Sequence, residues 1–315
     1  MKKITIVFTI VFLAFIVASF VSKSTITKEE LGQQLFFDPI LSRDSTISCA
    51  SCHKPEFAFA DTSAVSIGHG GARGKRNTPS SMNLILHENF FWDGRAKGLE
   101  EQALIPIENP VEMNLPIEEA LERLNRNSKY NGRFKAVFNK RPDRASLAAA
   151  LAAFERTLET SNSSFDEWKF SDDPAAISDR AKRGFHLFNT KANCVKCHFG
   201  ADLTANEFRN IGLFNGKNLN DSGRIVVTGK AEDLGRFKTP SLRNVALTAP
   251  YMHNGILPTL KDVIEFYNDP GKLASQSINR DSLMIKPLQL TEQEKDDLLA
   301  FLNSLTDKRF LVHNK

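Results

Sequence analysis

Cys49-Ala50-Ser51-Cys52-His53 and Cys194-Val195-Lys196-Cys197-His198 are the stretches on which the reading of this chain turns. Each is C-x-x-C-H, the attachment signature of a c-type haem. The two cysteines form thioethers to the porphyrin vinyl groups, and the adjoining histidine becomes the proximal iron ligand. The motifs use all four cysteines of the chain. Four cysteines in 315 residues is far from the density of a disulfide scaffold. A zinc site would need two pairs that lie about half a chain apart, and would leave both following histidines without a role. The motifs therefore predict two covalently bound haem c groups, with His53 and His198 on the irons.

The rest of the composition fits that expectation. Hydrophobic residues make up 41% and charged residues 25%, an ordinary globular mix. The formal net charge is +4, with no basic run of the kind that grips nucleic acid. Phe is abundant at 24 residues, against three Tyr and two Trp. An apolar ring lines a haem crevice with no polar group to satisfy, although core packing explains any single Phe equally well. Lys2 and Lys3 precede an apolar run from Ile4 to Val21. That is the pattern of a secretory signal, with small-residue cleavage points after Ser19 or Ser24. At 18 residues the run also reaches the lower edge of a membrane span, roughly 17–25 residues, so residues 1–24 are expected as signal peptide or anchor. Either way the body of the protein is expected outside the cytoplasmic membrane, in the periplasm.

Helical periodicity runs through the chain. Thr27 opens a capping box to Glu30 ahead of Leu31, Leu35 and Phe36. Ile117–Leu124, the Ala- and Leu-rich Arg144–Leu158, and Ser178–Phe188 read as helices. Thr259 and Thr291 open further boxes, to Asp262 and Glu294. No stretch alternates with period two long enough for a convincing strand, and Gly and Pro gather in loops. The expected fold is all-α: two cytochrome c-like domains, each a helix, a haem motif, a loop and a later helix. The polar stretch Asn162–Pro174 is the expected boundary, giving domains at 25–165 and 166–315.

Further stretches carry a resemblance. They are Leu35-Phe36-Phe37-Asp38-Pro39, Ser66-Ile67-Gly68-His69-Gly70, Phe91-Trp92-Asp93-Gly94-Arg95, Pro110-Val111-Glu112-Met113, and Pro240-Ser241-Leu242-Arg243-Asn244 continuing to Tyr251-Met252-His253. In order, from about Leu31 to Leu305, the chain resembles the bacterial dihaem cytochrome c peroxidases and the related MauG-type enzymes. The resemblance implies that the His53 haem meets hydrogen peroxide and the His198 haem handles electrons. It makes Glu112 the distal carboxylate that moves a proton between the peroxide oxygens, which a carboxylate in a dry pocket can do. It puts Trp92 between the haems as an electron path, and Asn77 with the carbonyls of Thr248 and Pro250 at a calcium site. It makes His69, 16 residues after His53, a resting-state ligand whose release opens the first iron. A loop histidine off the iron is the competing reading.

At one position the resemblance divides. Peroxidases that need reductive activation hold the second iron with a methionine, whose neutral thioether favours ferrous iron. Counting on from His253, that position is Tyr267; MauG-type enzymes have tyrosine there, and a phenolate favours ferric and higher states. Met252 and Met284 are the competing ligands. Three functions follow as expectations. The first is a peroxidase reducing hydrogen peroxide with electrons from a small cytochrome c or copper protein, as a family-like homodimer. The second is a MauG-like oxidase acting on a partner protein. The third is a dihaem electron carrier. His87, His186 and His313 are expected to be surface or structural.

Overall fold

The computed structural model describes residues 26–311; the expected leader at 1–24 and His313 lie outside the described residues. No helix among the described residues is long and apolar enough to cross a membrane. The N-terminal half is built on α1 (Lys28–Phe37), α2 (Ile117–Arg126), α3 (Ser128–Phe138) and α4 (Arg144–Arg156). The expected box closes at Thr27: its hydroxyl accepts from Glu30 N–H, and the Glu30 carboxylate accepts from Thr27 N–H. Leu31, Leu35, Leu124, Phe134, Leu147 and Leu151 meet in one core.

The C-terminal half repeats the plan with α5 (Ser164–Phe170), α6 (Asp179–Asn189), α7 (Leu260–Asn268) and α8 (Glu292–Ser304). Thr259 and Thr291 cap α7 and α8 as expected. Phe165, Phe188, Ile264, Leu298 and Phe301 form its core.

The duplication is visible at the helix crossings. Where α1 meets α4, a Cβ on Gly32 would stand 1.9 Å from the carbonyl oxygen of Ala150 and 2.9 Å from the Cβ of Phe154. Where α6 meets α8, a Cβ on Gly184 would stand 1.9 Å from the carbonyl oxygen of Asp297 and 2.8 Å from the Cβ of Phe301. Each glycine is followed four residues later by a buried phenylalanine, Phe36 or Phe188. Each half therefore brings two helix backbones into direct contact, and only glycine permits that separation.

Three features add to the sequence reading. Helix α3 has Asn131 and Gly132 in its interior, which masks its periodicity. It is held instead by buried Phe134 and by Tyr130, whose hydroxyl donates to Asp38 Oδ2 at 2.7 Å. The polar stretch expected as a connector contains α5, whose Phe165 and Trp168 pack into the second core. A two-residue antiparallel ladder pairs β1 (Phe208–Arg209) with β2 (Phe237–Lys238) in an otherwise helical chain.

Polar side chains join the halves. Arg76 makes a bidentate pair with Asp221, at 2.7 and 2.9 Å, and also bonds Asp93. Arg224 donates to the carbonyl of Asp93 at 3.0 Å. Burial of these groups is compensated by pairing, as a buried charge requires.

Candidate haem cavity and active site

A cavity of about 1210 Å3 runs between the halves and is lined by both C-x-x-C-H motifs. Sites for a single small molecule hold roughly 300–1,000 Å3. At its first end, Cys49–Cys52 forms one helical turn and His53 ends it. His53 Nδ1 lies 3.0 Å from the carbonyl oxygen of Phe59 and 2.9 Å from Ser81 Oγ. At the second end, His198 Nδ1 lies 3.0 Å from the carbonyl oxygen of Leu203. Phe59 and Leu203 both hold left-handed backbone, with φ of 56° and 50°. That unusual conformation in both halves aims a carbonyl at each ring.

The carbonyls fix Nδ1 as the protonated nitrogen and leave the Nε2 lone pair free to ligate, the arrangement typical of a metal-binding histidine. Burial lowers His53 below the usual histidine range and takes His198 down to about 4, so both rings are neutral. Burial also pushes all four thiols up, Cys194 to about 12. No cysteine is in a disulfide. Neutral, oriented imidazoles beside pairs of free thiols, on one large cavity, fit two c-type haems.

Glu112 lines the same cavity as His53. Its carboxylate accepts from Asn109 Nδ2 at 2.6 Å. Burial nevertheless raises its proton affinity above the usual carboxylate range, against the lowering by Asn109 and Arg95. Trp92 also lines the cavity. Its indole donates to the carbonyl of Asn77 at 2.8 Å, and its own carbonyl accepts from Lys238 N–H at 2.7 Å. It is thereby tied to both halves.

His69 does not line the cavity, although Gly68 beside it does. Its Nδ1 faces Asp44 Oδ2 at 3.1 Å, and its N–H donates to the carbonyl of Glu112 at 2.7 Å. A Cβ on Gly68 would come within 2.2 Å of the Val111 carbonyl oxygen, so this turn lies flat on the Glu112 loop. Tyr267, Met252 and Met284 all pack in one apolar cluster at the second end and all line the cavity. Burial holds the Tyr267 phenol neutral, well above its ordinary range. Asn77, Thr248 and Pro250 border the same cavity. Asn77 Nδ2 donates to the carbonyl of Ser63 at 3.1 Å, which leaves its amide oxygen as the group available to a cation. The His87 side chain is buried, with Nε2 against Asp202 Oδ2 at 2.9 Å, whereas His186 is exposed on α6.

Several cavity residues escape sequence reasoning. Ser81 and Asn109 act by orienting His53 and Glu112. Gln102 and Glu155 line the cavity near the first motif, and each has a buried side-chain oxygen without a hydrogen-bond partner. For Glu155 a signal existed. It shares the helical face of Ala148, Leu151 and Ala152, all buried, so an ionisable group pointed inward. Burial takes its carboxyl up to about 8.

A family model described as di-haem cytochrome c peroxidase matches residues 26–174, and one described as cytochrome c matches residues 181–306. The methylamine utilization protein MauG of Methylorubrum extorquens is 40% identical over 88% of this chain and 78% of its own. The cytochrome c551 peroxidase of Nitrosomonas europaea is 37% identical over 88% of this chain and 79% of its own. A crystal structure of a MauG-like protein associated with microbial copper homeostasis superimposes with a TM-score of 0.83 at 34% identity, covering 91% of both chains.

Proposed function

This chain belongs to the di-haem cytochrome c peroxidase and MauG family and is a peroxidase; we propose that it reduces hydrogen peroxide to water in the periplasm with electrons from a small cytochrome c or copper protein. Each turnover consumes one peroxide, two electrons and two protons and yields two waters. A c-type haem on His53 supplies a redox-active iron at which peroxide is reduced. The chain's own task is to position that group and to move protons. Glu112 carries the proton from the near to the far peroxide oxygen. The observation that supports this is its burial in the cavity of His53, with its proton affinity raised by desolvation. Asn109 fixes its carboxylate. Trp92, bonded to both halves, is the coupling between the haem sites.

Tyr267 supports a second reading, a MauG-like oxidase acting on a partner protein, because a tyrosine ligand would leave the second haem without a high-potential thioether. His69 bears on the same choice. Its contact with Asp44, away from the cavity, supports a first site open in the oxidised protein. A calcium at Asn77, Thr248 and Pro250, and a homodimer, belong to the same proposal. The test is a stopped-flow spectrum of the fully oxidised holoprotein mixed with one equivalent of peroxide. An immediate spectral change is expected. No change until one electron has been added would overturn the open site, and would favour a bound His69 and a methionine on the second iron.

A further inference from the structure

Lys238 is a part-buried cation on the cavity wall, with no carboxylate in contact among the described residues. It sits in β2, where its N–H bonds the carbonyl of Trp92. Its ammonium lies 3.1 Å from the carbonyl oxygen of Asn89, 3.3 Å from His87 Nδ1 and 5.9 Å from the centre of the Phe90 ring. It forms no ion pair with a carboxylate among the described residues. Asp202 is the acidic group whose charge acts on it without touching it, and His87 stands between them. One Asp202 oxygen takes His87 Nε2 at 2.9 Å; the other accepts from Asn83 at 2.7 Å and faces Arg243 Nε at 4.0 Å. This chain fixes the donors. His87 gives its Nε2 proton to Asp202, so its Nδ1 must accept from Lys238. An ammonium has three N–H bonds; two are spent on His87 and Asn89, and Lys238 lines the haem cavity.

An ammonium largely withdrawn from water and without a counter-ion is costly to hold. Desolvation already takes it down to about 8, against the influence of Asp202. The cost is removed if an anion in the cavity meets the third N–H. Each haem c carries two propionates, the anionic groups expected there. We propose that Lys238 binds a haem propionate, as a positioning residue that orients one macrocycle between the halves and raises the reduction potential of its iron. The His87–Asp202 pair holds the ammonium in place. The inference rests on the presence of two haems and not on the peroxidase reading, so it survives if the substrate is a partner protein.

The source of the propionate, first haem or second, is decided by the experiment. The holoprotein and its Lys238→Met variant, each verified to carry two haems, are titrated redox-wise with EPR detection, and the propionate-bending band is followed by resonance Raman. In Lys238→Met one haem is expected to fall in midpoint potential and to shift its propionate band, while the other keeps both. The haem that moves owns the propionate. Unchanged potentials and bands overturn the proposal. An equal fall at both haems with unmoved bands also overturns it, because a distant charge alone produces that result. Should Lys238→Met not fold, Lys238→Arg carries the test. The charge is kept but the hydrogen bond is changed, so the band shifts while the potential holds; an unshifted band overturns the assignment.

Discussion

Replacing Gly32 with alanine tests the duplicated helix crossing on which both haem sites rest. The added Cβ would stand 1.9 Å from the Ala150 carbonyl oxygen, and real Cβ contacts essentially never fall below 3.0 Å. The helices α1 and α4 must therefore part by about 1.1 Å. The obstructing atom is backbone, so no rotamer change relieves it. Overpacking of this kind costs about 1–3 kcal/mol, and an obstructing backbone puts Gly32 at the upper end. A gap of that width also forfeits a quarter to a half of the dispersion energy along the seam. Alanine returns about 1 kcal/mol through helix propensity. The net expectation is a loss of about 2 kcal/mol, or ~4–8 °C in Tm for a unit of this size. Gly132→Ala in α3 is the matched control, because a Cβ there meets nothing within 4 Å. It should gain up to ~1 kcal/mol. Guanidinium unfolding of the holoproteins, followed by far-UV circular dichroism and the haem absorption, reads both. If Gly32→Ala proves as stable as Gly132→Ala, the helices do not approach as closely as described, and the argument for a duplicated crossing fails.

Two further outcomes bear on the cavity. Glu112→Gln keeps the shape and the Asn109 contact but cannot carry a proton, so peroxide turnover should fall about 10²–10⁴-fold with both haems retained; turnover at the wild-type rate would remove Glu112 from the chemistry. Glu155 makes stability depend on pH. Its folded value of about 8 lies above the ordinary 4.5, so the folded state holds a proton that the unfolded state releases. Its stabilising contribution is complete below about 4.5 and is lost as pH rises through about 8, to a limit on the order of 5 kcal/mol. Denaturant midpoints measured from pH 5 to pH 9 should decline for the wild type and flatten in Glu155→Gln. Parallel profiles would mean that the carboxyl is not buried as a neutral acid.

The elements read most directly from sequence are those whose cause is local. Capping boxes at Thr27, Thr259 and Thr291 lie within one turn of the helices they start, and the structure closes all three. Helices α3 and α5 were illegible because their support is distant: Tyr130 is held by Asp38, and Phe165 by Phe301. The candidate site divides the same way. Haem attachment is written into five consecutive residues, because thioether bonds and the proximal ligand must come from one turn of chain. The family motifs likewise named Glu112 and Trp92 from short runs of neighbours, whereas Tyr267 came from its spacing after His253.

What folding alone decided is the set of groups that act on those residues. Gly68 lies flat on the Glu112 loop and holds His69 beside Asp44, away from the cavity. A carbonyl in left-handed backbone aims at each haem histidine. Lys238 meets His87 across 151 residues of sequence. The sequence by itself determined what is bound covalently and where the locally capped helices start, since both depend on residues within a few bonds or one turn. Tertiary structure determined which groups are buried, oriented and charged around the cavity, since desolvation and hydrogen bonding depend on neighbours that only packing brings together.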